Sequence, residues 1–437
     1  MSGKRRYLLF FIQIIAQASV GQITVYNDGM STVSIVSGCT VSILGGYTSQ
    51  TKAAVNGKIN NQGTLQLTGD WTNNNSAATP NIFSTNAGTV VFNGSGIQTI
   101  DGNATTTFYN LTFNNDPSIA GDVTLATNNY IVNNLLTMTQ GSVNLNSRTL
   151  TLGTPGIAST LTRSANTWLY GGTFTRNWLN ATAITSTSGN YYGLFPMGES
   201  TTGSYSPLEI NSTLSPGSNG SFSVTYTPSP SNTTNLNPFY NDAGTNIERI
   251  VNSSFNTSIS GIATGTYNID VTMTGLNSAG ALSNIRLAVY TGGTTASTVG
   301  THAATTGTVA NPTAKRTGVS AANLTRDFRI ATTNQAITPL PVELLSFNAT
   351  PNDNWVNVYW STASEVNNDY FVVQRSKDNF QFEDIAQVDG AGNSVSIKKY
   401  STVDYQPYSD VSYYRLKQVD FNGVFHYSNI ISVNFND

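Results

Sequence analysis

The sequence predicts an all-β protein, and three observations predict it. β-Branched and aromatic residues abound, with 21 Tyr and 19 Phe, while helix formers are scarce. Short runs alternating apolar and polar residues lie between Gly, Asn and Asp turns. Similar runs recur at a fixed distance: "GTLQL" opens at Gly63 and "GTVVF" at Gly88, 25 positions on, and "NLTF" opens at Asn110 and "NLLTM" at Asn134, 24 on. Such a period marks stacked repeats, each burying its apolar side only against its neighbours.

Composition narrows the function. Only 10% of the 437 residues are charged, well under the usual quarter, yet 38% are hydrophobic, enough to bury a core. The net charge of −3 and the absence of basic runs beyond the first residues argue against nucleic-acid binding. The charges are uneven. Residues 340–437 carry 12 acidic and 6 basic side chains, against 11 and 14 in the preceding 339 positions.

Residues 1–18 read as a secretory signal peptide. Lys4-Arg5-Arg6 precedes a ten-residue apolar stretch, "YLLFFIQIIA", and Ala16-Gln17-Ala18 supplies the small residues of a cleavage site. Ten residues are too few to span a bilayer, and no later stretch approaches eighteen, so no transmembrane span is expected. Cleavage near Ala18 removes three basic residues and leaves a mature charge of −3 − 3 = −6. An exported chain whose single cysteine, Cys39, forbids an intrachain disulfide needs a large core or repetition for stability. Cys39, in "TVSIVSGCTVSIL", is expected as a small buried strand residue.

Residues 22–165 are predicted as a β-solenoid or β-helix-like repeat region of roughly six turns, with Val, Leu, Ile and Phe inward and Thr, Asn and Gln outward. Over residues 166–337 the period fades. "TFTRNWL", "SFSVTYT", "TYNIDVTMT" and "IRLAVYT" read as longer strands of a β-sandwich, joined by connections such as "TPSPSNTTNLNP". Pro339 and Pro341 mark a stiff seam. Residues 340–437 then give about seven strands. "WVNVYW" sets Val356, Val358 and Trp360 on one side, and Asn422-Gly423 is a hairpin signal; the pattern is that of an immunoglobulin or fibronectin type III-like sandwich.

The wording of this last segment carries a resemblance. "LPVELLSFNAT", "VNVYWSTASEVNNDYFVVQRSKD" and "VSYYRLKQVDFNG", within residues 339–433, resemble the domain that precedes the sorting tail in surface proteins exported by the type IX secretion system of Bacteroidetes. "LTGDWTNN", "GTVVFNGSGIQTI" and "TTTFYNLTFNN" are similar to repeat modules of the same family, and "FPMG" followed by "YSPLEI" resembles the segment linking the two. The resemblance implies export, surface display or release, and an adhesive or structural role. In that family a sorting domain opening near a "YPNP"-like motif normally follows; the sequence given ends at Asp437, where one is expected to begin.

Catalysis is not expected. A nucleophilic triad needs a His, and the two present are His302, in "VGTHAATTG", and His426, in "FHYSN". Two His and one Cys do not make a His- or Cys-based zinc site, no D-x-D-x-D-G calcium loop occurs, and no cofactor is expected. Among the acids of the repeat region, Asp70, Asp101 and Asp116 sit in turn contexts that favour local backbone bonding. Asp70, Asp101 and Asp122 nevertheless lie 31 and 21 apart, near the period, and this keeps a polysaccharide-cleaving or glycan-binding β-helix as the rival reading. Trp168, Tyr170 and Trp178 are the candidate ligand platform, since exposed rings could stack on sugars; strand aromatics more often face a core. N-x-S/T runs carry little meaning in so Asn-, Ser- and Thr-rich a chain. Binding to ice or another crystalline lattice would need T-x-T pairs in successive turns. Thr137/Thr139 and Thr149/Thr151 are twelve apart, with no recurrence read at 25. The expected protein is a secreted, non-enzymatic, adhesin-like surface protein whose partners are glycans, other surface proteins and the export machinery.

Overall fold

A computed structural model describes residues 25–434 apart from short stretches at 28–31, 53–54, 77–81, 116–121, 158, 166, 179–183, 185, 188–189, 192, 200–203, 213–218, 230–232, 263, 275, 277–280, 293–294, 334–343, 363–364, 395–396 and 422–424. The signal-peptide segment, the Pro339/Pro341 seam, Asp116 and the Asn422-Gly423 turn fall outside the described residues. The molecule is all-β, as its composition predicts.

The described residues open with a β-solenoid of about 5 turns, against the roughly six expected. One face stacks Val25–Asn27, Tyr47–Lys52, Trp71–Asn74, Gln98–Asp101, Val123–Leu125, Val143–Asn144 and Leu169–Tyr170 in chain order, all in parallel. A longer face stacks Thr40–Ile43, Thr64–Leu67, Thr89–Phe92, Thr107–Asn114, Tyr130–Gln140, Thr149–Leu152 and Thr173–Trp178. Among the described residues a third face, Thr32–Ile35, Lys58–Asn61 and Phe83–Asn86, accompanies the first turns. The period is real at the register level: Leu65 lies beside Val90 and Leu67 beside Phe92. Between "NLTF" and "NLLTM" the true offset is 25, because a bulge after Phe108 shifts the pairing from Phe108–Val132 to Leu111–Leu136.

The repeat motif opens on glycine for a steric reason. A Cβ on Gly63 would lie 2.3 Å from the Cys39 carbonyl oxygen, and one on Gly88 2.4 Å from Asn61 Oδ1. Asparagine is abundant because the corners need it. Asn61 accepts from the Gly63 amide and donates to the Thr89 carbonyl one turn on, while Asn75 accepts from Ser49 Oγ and donates to the Gly57 carbonyl. These bonds satisfy backbone groups that would otherwise be buried unpaired. Between the corners, Trp71 stacks on Tyr47 and Phe83 with centroids 5.2 and 5.8 Å away.

Parallel stacking continues beyond residue 165 to Trp178, and there the solenoid grows into a sandwich. Thr173–Trp178 pairs antiparallel with Gly220–Thr227, which pairs with Ser254–Ser260 and so on to Asp327–Thr332, making one 15-stranded sheet. A five-stranded sheet, ordered Leu194–Phe195, Leu208–Asn211, Thr266–Thr272, Pro312–Ser320 and Thr301–Gly307, packs on it. One apolar core runs from Ile35 to Ile330 through both regions. "FPMG" caps the stack: the Leu169 amide donates to the Pro196 carbonyl at 2.8 Å, and the Gly198 amide donates to the Leu169 carbonyl at 3.0 Å. Part of "TPSPSNTTNLNP", read as a connection, is strand Thr233–Asp242. Asp242 clasps the five-stranded sheet through buried Arg316, with Nη1 donating to Oδ2 at 2.6 Å and Nη2 to Oδ1 at 3.1 Å.

The C-terminal segment closes its own core. Leu344–Asn352, Trp355–Thr362 and Lys398–Asp404 form one sheet; Phe382–Ser394, Glu365–Ser376 and Val411–Asp420 form the other, with Phe425–Tyr427 and Ile431–Asn434 along its last edge. Val356, Val358 and Trp360 point inward as the alternation predicts, while Trp355 is only half-buried.

Candidate functional site

The long sheet presents an outward surface of aligned, mostly polar residues. Inward Leu, Phe and Val alternate with outward residues along every strand, so parallel register turns the outward ones into columns. One column runs Thr40, Thr64, Thr89, Asn110, Leu135, Thr160; the next runs Ser42, Gln66, Val91, Thr112, Thr137, Thr162. Thr149–Leu152 and Thr160–Arg163 both lie against Tyr130–Gln140, end to end along it. From the former, Thr149 and Thr151 continue to Thr173 and Thr175, then to Thr225 and Ser223 across the antiparallel joint. Hydroxyls bond along the columns, Thr173 to Thr225 at 2.6 Å and Thr175 to Ser223 at 2.8 Å. No position named in these columns is charged or aromatic.

This corrects the reading that T-x-T pairs fail to recur. Thr149/Thr151 recurs 24 residues later as Thr173/Thr175, in register. Thr139, paired with Thr137 in the sequence, lies outside the column that Thr112, Thr137 and Thr162 form.

The neighbouring face holds the acids. Asp70 Oδ1 accepts from the Thr99 amide of the next turn at 2.7 Å; Asp101 Oδ1 accepts from the Gly102 amide at 2.7 Å and from Thr127 Oγ1 at 2.6 Å. The turn-bonding reading of Asp70 was therefore right in kind but too local, because its partner lies 29 residues away. Register staggers the carboxylates, for Asp101 stands beside Thr72 rather than beside Asp70. Asp122 is buried and accepts from Ser142 Oγ at 2.6 Å and from the Tyr170 hydroxyl. Among the described residues no group of three or more His, Cys, Asp or Glu side chains is placed to hold a metal ion.

Of the candidate platform residues, Trp178 is 3% exposed and stacks on Phe222 at 5.8 Å. Trp168 is 9% exposed and lies flat against the cap, its Cδ1 2.4 Å from where a Gly198 Cβ would be. Tyr170, half-buried, spends its hydroxyl on Asp122. The three are not gathered into one exposed platform. Cys39, expected in a buried strand, is an exposed free thiol in the turn between Thr32–Ile35 and Thr40–Ile43, where Gly38 has φ +79°. His302 sits in a strand opposite Arg316; burial and the Arg286 and Arg316 charges push its pKa down.

Sequence reasoning missed two polar centres in the C-terminal sandwich. Glu365 is buried and takes four donors: Thr362 Oγ1 at 2.8 Å, Asn368 Nδ2 at 2.7 Å, the Ala391 amide at 2.7 Å and the Tyr400 hydroxyl. Burial raises its pKa, but these donors outweigh burial and hold the carboxyl below the usual range. Arg375 bridges Asp404, at 2.9 and 3.0 Å, and Glu383. The spacing Thr362-x-x-Glu365-x-x-Asn368 was the available signal; Ala391 and Tyr400, 26 and 35 residues on, were not readable. On the outer side, Arg415 lies between the Phe382 and Tyr427 rings, 3.9 Å from each centroid.

Fold and surface together define an all-β protein built on an N-terminal β-solenoid. No family model matches the chain, and no curated protein matches it. Among the solved structures that match is a β-1,2-glucanase from Parabacteroides distasonis, at 11% identity and a TM-score of 0.16, covering 60% of this chain and 36% of that one. The chain thus spans little more than a third of that protein, and a likeness this slight carries no argument about activity.

Proposed function

We propose that the chain is an exported, non-enzymatic surface protein, structural or adhesive, in which the solenoid displays a flat face and the C-terminal sandwich is a mounting module. One observation carries this reading: outward hydroxyls of Thr149–Leu152 and Thr173–Trp178 stay in register with those of Gly220–Thr227 where the solenoid joins the sandwich. Such a face suits contact with an extended surface rather than chemistry on a small substrate. The resemblance of residues 339–433 to type IX secretion surface proteins supports export by that route, and Lys4-Arg5-Arg6 with its apolar run supports an N-terminal signal. Among the described residues no helix is long and apolar enough to cross a membrane. The test is N-terminal sequencing of the protein from the outside of producing cells. A start near Gln17–Val20 is expected, and protein retained inside with Met1 intact overturns export.

A second reading, glycan binding or cleavage, is favoured by Asp70, exposed just ahead of strand Trp71–Asn74, and Asp101, at the end of the adjacent strand Gln98–Asp101. Both carboxylates already accept backbone amides. Purified protein is expected to release no reducing ends or unsaturated products from a polysaccharide panel, with or without Ca²⁺. Release abolished by Asp101→Asn in a folded protein establishes the second reading instead.

A further inference from the structure

We infer that the first turn of the solenoid docks against the same turn of a second copy of this chain, giving a closed head-to-head dimer. A stacked repeat buries its apolar side only against a neighbour, so an end turn leaves that side open unless it is capped. The C-terminal end of the stack is capped by "FPMG" and the sandwich. At the other end, among the described residues, Val25–Asn27, Thr32–Ile35 and Thr40–Ile43 are each the last strand of their sheet. Register sets Val25 on Tyr47, Val33 on Ile59, Val41 on Leu65 and Ile43 on Leu67. The second member of each pair is buried, and the first is not: Val41 is 38% exposed where Leu65 is 1%. Leu44, 72% exposed, stands on the same open turn.

Three features select a second copy as the occupant. The end is neutral, with no charged residue between Asp28 and Lys52, so a highly charged partner gains nothing there. Outer edges elsewhere carry charges that discourage pairing, Glu383 and Asp384 on Phe382–Ser394 and Lys398 and Lys399 on Lys398–Asp404. A neutral strand edge is complementary to itself, because N–H and C=O groups of two copies can pair antiparallel across a two-fold axis. The chain's own leading segment is too short to do this. Cleavage near Ala18, the point at which this inference rests on the proposed export, leaves residues 19–24 ahead of Val25. Six extended residues reach about 20 Å, enough to follow one edge strand and not three. The size also fits. The turn from Val25 to Gly46 holds 22 residues, and a stable interface takes roughly 20–30 a side. Because the opposite end is capped, the contact closes at two copies and builds no fibre.

The experiment is sedimentation equilibrium, over a wide range of concentration, on protein collected outside producing cells and sequenced from its N-terminus. Twice the chain mass is expected at high concentration. Val41→Lys and Leu44→Lys set like charges against each other across the two-fold axis, and each is expected to raise the dimer dissociation constant about tenfold or more. Leu44 is mostly exposed, so Leu44→Lys is expected to keep the wild-type Tm and decides the matter if Val41→Lys does not fold. Ile97→Lys, at an exposed apolar position in a middle turn, is expected to dimerise as the wild type does. A monomer at every concentration, a mass that keeps growing past two copies, or a dimer undisturbed by Leu44→Lys overturns the inference. A monomer whose N-terminus lies near Ala18 leaves export standing, whereas protein retained inside with Met1 intact overturns export, whatever its mass.

Discussion

Glu365 shows how a single residue can be structural while looking functional. A buried carboxylate with a displaced pKa in an unannotated protein invites a catalytic reading. Here all four donors come from the domain's own strands and turns, and they satisfy both oxygens. Because the folded-state pKa is lowered, the stability it contributes is present above the ordinary Glu value of about 4.3 and is lost as pH falls through the lowered value. Glu365→Gln keeps the shape but sets an amide N–H against donors, and is expected to cost about 1–3 kcal/mol near neutral pH. Urea midpoints measured from pH 7 to pH 3 should show the gap between variant and wild type narrowing in acid; a gap independent of pH removes the argument.

At the scale of elements, the cap on the last solenoid turn is the sharpest case. Stacked repeats expose an apolar end unless something covers it. "FPMG" does so by pairing with Leu169 and laying Gly198 under the Trp168 ring. Gly198→Ala forces a methyl into that ring, and is expected to cost about 1–3 kcal/mol and to red-shift tryptophan emission. Unchanged Tm and emission would show that the cap does not bear on stability. The threonine columns belong to this scale too. Residue types and the 24–25 period were legible, yet the columns were not, because a bulge changes the register after Phe108 and two collinear strands share one turn at Thr149–Leu152 and Thr160–Arg163.

At the scale of the whole molecule, cores divide the chain differently from composition. Solenoid and middle sandwich share one core, whereas Val356, Val358, Trp360, Phe371, Val373, Tyr414, Leu416 and Val433 form another. Residues 25–333 are expected to unfold in one transition and residues 344–434 in a second. The fragment 344–434 alone should unfold cooperatively in urea. Within it Trp360, stacked on Tyr400 at 5.5 Å, is expected to cost about 3–5 kcal/mol on replacement by Ala. A fragment without a cooperative transition contradicts the separate core.

The sequence by itself determined the fold class, the stacked repeats and the inward Val356-Val358-Trp360 face, because each follows from local periodicity: two for a strand, 24–25 for a turn of the solenoid. It could not determine which outward residues align, where Asp70 finds its partner, that Trp168 and Trp178 turn inward, or that Cys39 is exposed. Those depend on register between strands more than twenty residues apart and on which face the cap covers. A one-residue slip at a bulge changes every such alignment while leaving each strand's own pattern intact.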